Sequence, residues 1–373
     1  MSLPLSRTMD EFDRQTADFP PGTGAALAVY QGQDLVLDRW GGESAPGVPW
    51  ERDTMSVTFS ATKGVTAALL LLLAEDGRLD TDRRMSYYWP AFAANGKDGV
   101  SVAEFLSHQS GLPYWDGYSD VVTAESPPAC WLRTDEIVSS LASSRPVAGT
   151  YGRFAYHAIT FGWLADGLTR AVTGGVLPDL FADYFARPFG LDYHIGLPSS
   201  ESGRVATLAL VEDPATALAD LNPEMTGKSL LRSANGTDYL HNLPLLNSAD
   251  FHAVPQSACN GIGTATGIAG VYAALLEGGG ARKNAVDRFT EAVLEIPGPG
   301  PRRHQGLGFQ VRMPTPWNST DTAFGHTGAG GGVAFLDPER RLSFGYTTNH
   351  LIYGADDRLD RLRAALAADL PGQ

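Results

Sequence analysis

The chain has 373 residues, 43% hydrophobic and 19% charged, the make-up of a folded globular protein with one large domain or two sharing a core. Its formal net charge of -14 argues against a nucleic-acid partner, because phosphate binding calls for a basic face. Two cysteines, Cys130 and Cys259, and no Cys/His cluster at zinc spacing point to buried thiols rather than a disulfide, and to no metal.

The opening MSLPLSRTMDEFDRQ has neither the basic stretch nor the apolar core that directs secretion. The longest apolar run, residues 67–74, falls far short of the ~20 residues that cross a bilayer. The expectation is a cytoplasmic protein without a membrane partner. Two strand-like runs follow, 24–32 (GAALAVYQG) and 34–42 (DLVLDRWGG), and they read as a hairpin. Helical patterns dominate over 61–186 and again over 264–277, broken by Pro/Gly-rich loops. Three more strand-like runs stand near the C-terminus: 307–313 (LGFQVRM), 331–337 (GGVAFLD) and 341–349 (RLSFGYTTN). An amphipathic helix is expected over 356–369. Strands at both ends with helices between predict an α+β fold, one sheet closed by the two termini and carrying an inserted helical region.

The stretch TFSATKGVTAALLLLLAEDGRL, residues 58–79, carries the first chemical signal. Ser60 stands at the start of an apolar helix, and Lys63 follows about one turn later on the same side. The helix N-terminus offers unpaired N–H groups to an oxyanion, and burial favours a neutral amine that could take the serine proton. A plain helix cap with a solvated first-turn lysine fits the same spacing, although the helix dipole disfavours a cation there. The chain has four lysines, and only Lys63 has a serine three residues before it.

A serine–lysine pair needs a proton route to the leaving group and a second oxyanion donor. Tyr156 lies at the junction of a Gly/Pro loop with a helix and could share protons with Lys63; most tyrosines merely pack their ring. Near the C-terminus, His326-Thr327-Gly328 precedes a glycine cluster and a strand. An edge strand there could aim a backbone N–H, at Ala329 for instance, into the same oxyanion site. A flexible turn feeding a strand is the alternative. The aromatic segments 87–89 and 114–118 could wall an acyl pocket or simply pack, and His108 and Gln109 read as loop supports.

Ser60-Ala61-Thr62-Lys63, Tyr156-His157-Ala158 and His326-Thr327-Gly328, in this order, resemble the motifs of the serine β-lactamase and penicillin-binding-protein superfamily. FLSHQSGLP (105–113), YHAITFGWLADGLTRAVTG (156–174), ARPFGLDYHIGLP (186–198) and the closing HTGAGGGVAFLDPERRLSFGYTTN are similar to its carboxylesterase, class-C-like branch. The resemblance covers nearly the whole chain, less closely over the first 20 residues and 203–250. It implies a β-lactamase-like fold, with residues 1–79 and 261–373 as a sheet domain, 80–260 as an inserted helical domain, and the active site in the cleft.

It also implies a serine hydrolase acting on a small-molecule ester or acyl substrate through an acyl-enzyme, without cofactor or metal. Ser60, Lys63 and Tyr156 would be catalytic, with Ala329, His326 and Gly328 binding the oxyanion or substrate. Two positions depart from the family pattern. Ala158 stands where class C β-lactamases have asparagine, and His326 where they mostly have a lysine that helps hold a substrate carboxylate. Both count against efficient β-lactam or D-Ala-D-Ala work. Acyl transfer to an amine or alcohol, D-amino-acid amidase and residual β-lactamase activity stay open, as does a non-catalytic binding role.

Overall fold

Helix α1 (Ser6–Ala17) precedes the predicted hairpin, which forms as β1 (Gly24–Gln31) and β2 (Asp34–Ala45), followed by β3 (Val48–Pro49). The computed structural model describes residues 4–114, 129–210, 240, 242–296, 303–312, 322–352 and 356–370. The longer helices that follow are α2 (Ala61–Glu75), α3 (Thr134–Ser143), α4 (Thr160–Thr173), α5 (Ala265–Ala274) and α6 (Gly279–Thr290). Strands β4 (Leu294–Ile296), β5 (Arg303–Gln305), β6 (Gln310–Val311), β7 (Phe324–Thr327), β8 (Val333–Asp337) and β9 (Leu342–Thr348) then lead to α7 (Arg358–Asp369).

One nine-stranded sheet runs in the order β3-β2-β1-β9-β8-β7-β6-β5-β4. Its closure is antiparallel pairing of β1 with β9, from Ala25 opposite Thr348 to Gln31 opposite Leu342. The two ends of the chain therefore share one sheet, as the pattern of strands predicts. β1 is buried on both faces, and its alternation sorts the layers. Ala25, Leu27 and Val29 join Phe12 of α1 and Leu362 and Leu366 of α7 in one core. Ala26 and Ala28 face Ala265 and Ala269 of α5 on the other side. Small residues there let α5 lie close: a Cβ added to Gly345 on β9 would come within 3.0 Å of Ala269. The third layer is built on α2, whose residues from Ala61 to Leu73 are all buried. A helix buried all round serves as a central post, not a surface element.

Some expected bounds shift. The run 307–313 contracts to Gln310–Val311, because Gly308 takes φ 79° and its N–H bonds to Leu106 O at 2.9 Å, which turns the chain before the strand. Met313 lies outside the described residues. The C-terminal helix begins at Arg358, two residues later than expected. Both cysteines are buried as thiols. Among the described residues no helix is long and apolar enough to cross a membrane.

Asn349, just past β9, ties three regions together. Its Oδ1 accepts from Gly24 N at 2.7 Å, and its Nδ2 faces Gly22 O at 3.0 Å and Thr207 O at 2.9 Å. Removing the amide strands several buried backbone groups at once, each costing its own desolvation. Asn349→Ala is expected to lower unfolding stability by about 2–4 kcal/mol in urea titration, and a loss under about 1 kcal/mol would contradict this role.

Candidate active site

The chain enters α2 through a small antiparallel sheet in which Ser56–Val57 and Tyr193–Ile195 flank Gly261–Gly263. Thr58 fixes the entry: its N–H bonds to Gly261 O at 2.8 Å and its hydroxyl lies 2.7 Å from Tyr193 Oη. Thr62 returns the clasp by accepting from Gly261 N at 2.8 Å. Burial pushes the Tyr193 phenol up to about 12, so it stays a neutral partner in this network. Between these anchors Phe59 takes φ 45° while buried, a left-handed conformation costly for a bulky residue. That turn presents Ser60 at the head of the helix.

Ser60 precedes the first helical residue, yet its side chain makes no capping hydrogen bond. Its Oγ instead lies 3.1 Å from Lys63 Nζ. The plain-cap alternative is thereby set aside. Lys63 is wholly buried, and its Nζ also donates to Ala158 O at 2.8 Å and Ala258 O at 2.9 Å. Two of the directions at Nζ thus end on carbonyls, and a third faces the serine oxygen. The carbonyls come from opposite flanks, Ala158 from the loop before α4 and Ala258 from the segment before Gly261. That second segment is held along α2 by Thr66, whose hydroxyl donates to Ser257 O at 2.7 Å.

Tyr156 lies against Lys63, its ring centroid 4.9 Å from Nζ. The SHQSGL loop forms its backing, with the His108 ring centroid 4.9 Å from that of Tyr156. His108 has φ 63° and is fully buried; its Nδ1 accepts from His157 N at 3.1 Å, and its carbonyl accepts from Ala155 N at 2.9 Å. His157 in turn contacts Ser110 Oγ at 2.7 Å and Ala155 O at 2.5 Å. The loop-support reading of His108 holds, and the loop that it supports carries Tyr156.

His326 and Gly328 meet the same helix from the sheet side. β7 is flanked by β6 and β8, so His326 lies on an interior strand and not on the edge strand expected. The strand opens only at its end, where Thr327 N turns to the Gln310 side chain at 3.3 Å. Gly64 allows the close approach: a Cβ there would stand 3.2 Å from His326 Cβ and overlap the Tyr272 hydroxyl. A Cβ on Gly328 would overlap Thr58 O, so only glycine lets this strand end lie against the chain that leads to Ser60. Ala329 follows in a 3-10 turn, Ala329–Gly331, closed by a hydrogen bond from Gly328 N to Gly332 O at 2.7 Å.

The three histidines are electrostatically alike. Burial, with Lys63 nearby, pushes His326 down to about 3; burial is again the main cause for His157, at about 4, and for His108, held well below the usual imidazole range. His326 is therefore neutral at working pH. Its Nδ1–H donates to Thr327 O at 2.7 Å, which leaves Nε2 as a buried acceptor without a partner among the described residues.

All six predicted site residues thus lie on elements that meet at the head of α2. Of the aromatic segments, Trp89 packs on Phe92 and against Gly167 of α4, and Tyr87 is exposed; neither walls the site. Residues 115–118 of the second segment lie outside the described residues. A cavity of about 1130 Å³ beside α6, lined by Leu275, Val286, Leu336 and Arg341 among others, contains none of the six and is a separate feature. The two carbonyls on Lys63 were not foreseeable, because a backbone oxygen leaves no mark on residue type.

The chain as a whole resembles known proteins. The family model described as Beta-lactamase matches residues 12–369. The chain is 32% identical over 356 residues to "Esterase/beta-lactamase LipL" of Mycobacterium tuberculosis, covering 88% of this chain and 77% of that protein. A solved structure titled as a family VIII carboxylesterase is 31% identical with a TM-score of 0.80, covering 98% of each chain. A penicillin-binding protein homolog from Caulobacter crescentus is also 31% identical, with a TM-score of 0.79 over 98% of this chain and 97% of that one. The chain belongs to the beta-lactamase family and is an enzyme of the serine hydrolase class.

Proposed function

We propose that the protein cleaves small carboxylic esters through an acyl-enzyme on Ser60, with Lys63 and Tyr156 moving the protons. One observation carries this reading: the Ser60 hydroxyl is turned away from capping and onto Lys63 Nζ at 3.1 Å. With Lys63 as the neutral amine, its two N–H groups hold the Ala158 and Ala258 carbonyls and its lone pair faces the serine proton. Ser60 Oγ attacks the ester carbonyl carbon as that proton leaves. The oxyanion is held by the N–H groups of Ser60 and Ala329, an arrangement favoured by the contact of Gly328 with Thr58. The C–O bond to the alcohol then breaks, Tyr156 gives its proton to the departing oxygen, and Lys63 passes the proton taken from Ser60 on to Tyr156, which resets the pair. Water, activated by the same pair, releases the acid.

Esters are favoured over β-lactam antibiotics by the third motif. Neutral His326 offers an acceptor, where a lysine would offer a cation to a substrate carboxylate. The name of the family VIII carboxylesterase supports the same reading, whereas "Esterase/beta-lactamase LipL" names both activities. We also read residues 1–79 with 261–373 as the sheet unit and 80–260 as the helical one, with substrate entering between them.

Ser60→Ala is expected to abolish turnover across a panel of p-nitrophenyl esters of short to long acyl chains, and to abolish labelling by a fluorophosphonate. Labelling or turnover that survives in this variant sinks the assignment. The buried histidines also predict acid sensitivity. His326 and His157 are neutral in the folded chain and titrate near 6.5 when unfolded, so unfolding takes up protons below that pH. The stability they contribute is complete above pH 6.5 and is lost as pH falls toward about 4. Melting temperature should drop between pH 7 and pH 4.5, and less steeply in His157→Gln. A slope unchanged by that substitution would contradict the burial argument.

A further inference from the structure

The turn that carries Ala329 contains Gly328, Gly330, Gly331 and Gly332, a sequence with little intrinsic rigidity. Gly330 and Gly331 take φ 79° and 111°, conformations that the backbone itself does not enforce. A donor group for an oxyanion has to be held in place before the reaction, because a displacement of about 1 Å can cost ~100-fold in rate. The hydrogen bond from Gly328 N to Gly332 O closes the turn on itself, but contacts from outside are needed to fix its place relative to Ser60.

Arg358, the first residue of α7, is nearly fully buried behind this turn. Its Nη2 donates to Gly330 O at 3.3 Å and its Nη1 to His350 O at 3.1 Å. The guanidinium thus spans the turn and the short strand His350–Leu351 that runs beside it. Ile352 N adds a longer contact to the same Gly330 carbonyl at 3.4 Å. Asp356 neutralises the cation, accepting from Nε at 2.9 Å and from Nη2 at 2.6 Å, and accepting from Arg358 N at 3.0 Å. The Arg358 carbonyl is held in turn by Gln15 of α1 at 3.0 Å. A Cβ on Gly331 would stand 2.9 Å from Nη2, so the turn is shaped to admit the guanidinium. A buried ion pair is costly unless its remaining donors are satisfied, and here two of them end on backbone carbonyls.

We propose that the Arg358–Asp356 pair is a positioning device for the oxyanion turn, acting through Gly330 O to hold the Ala329 N–H over Ser60. The inference rests on the functional reading given above. Arg358 does not touch the reacting atoms; its effect falls on transition-state binding and leaves ground-state binding nearly intact. A planar fork reaches two carbonyls and a carboxylate at once, which a lysine ammonium cannot reproduce.

The test uses the full-length chain with Arg358→Met and Arg358→Lys, assayed well below their melting temperatures with a chromogenic ester and an arylboronic acid. The boronate adduct on serine is tetrahedral and reads the oxyanion site directly. In Arg358→Met, kcat is expected to fall about 10- to 100-fold and the boronate Ki to rise in step, with KM moving less than about threefold. Arg358→Lys should lie between this variant and the parent; if the methionine variant does not fold, the lysine variant carries the test alone. Equal kcat and Ki in variant and parent overturn the proposal, as does a fall in kcat with boronate affinity unchanged. A parent chain that neither turns over the ester nor binds the boronate overturns the functional reading itself.

Discussion

A lysine nitrogen sealed from water is costly unless every polar direction it offers finds a partner. Lys63 meets that demand with Ala158 O, Ala258 O and Ser60 Oγ, and the rest of the site is arranged to supply the three. Ala158 belongs to the loop that carries Tyr156, Ala258 to the segment leading to Gly261, and Ser60 to the strained turn after Thr58. One side chain therefore fixes three separate backbone segments against each other. The same requirement explains why α2 is buried on every face from Ala61 to Leu73: a post that must hold Ser60 and Lys63 in register has no surface to spare for water.

Two residues on either side of this pair hold unfavourable backbone conformations, Phe59 at φ 45° and His108 at φ 63°. Both are buried and tied down by hydrogen bonds of their neighbours: Thr58 to Gly261 and Tyr193 in one case, His157 and Ala155 to His108 in the other. Strain of this kind persists only where surrounding structure over-determines it. Here it turns Ser60 toward Lys63 and sets the loop that bears Tyr156. The sheet side contributes through glycine, with Gly64 and Gly328 bringing β7 against the helix head.

Much of this was legible from residue order. The apolar run within 24–32 and the strand-like runs at the far end predicted a sheet shared by both termini, because a strand buried on both faces reads as a nearly continuous apolar stretch. The spacing of Ser60 and Lys63 left a cap and a nucleophile equally open, and resemblance to a known family was needed to choose. Helix α1 was not anticipated: Leu5 and Phe12 reach the core, but the surrounding polar residues mask the stripe. The edge-strand expectation for His326 failed because β4 and β5, which continue the sheet beyond β6, are only three residues long each, too short to show a period. The carbonyls of Ala158 and Ala258 and the guanidinium of Arg358 could not be found in sequence. Their roles come from where the fold brings a backbone oxygen, which no residue type encodes.

The central claim is that Lys63, held by two carbonyls, lets Ser60 form the acyl-enzyme. Its most direct test is rapid-quench acylation by a p-nitrophenyl ester, followed by mass mapping of the adduct. The parent chain should release a burst of p-nitrophenol with the acyl group on Ser60, and Lys63→Met should acylate about 10²- to 10⁴-fold more slowly while retaining its fold. An adduct on any other residue, or acylation of Lys63→Met within about tenfold of the parent rate, would contradict it.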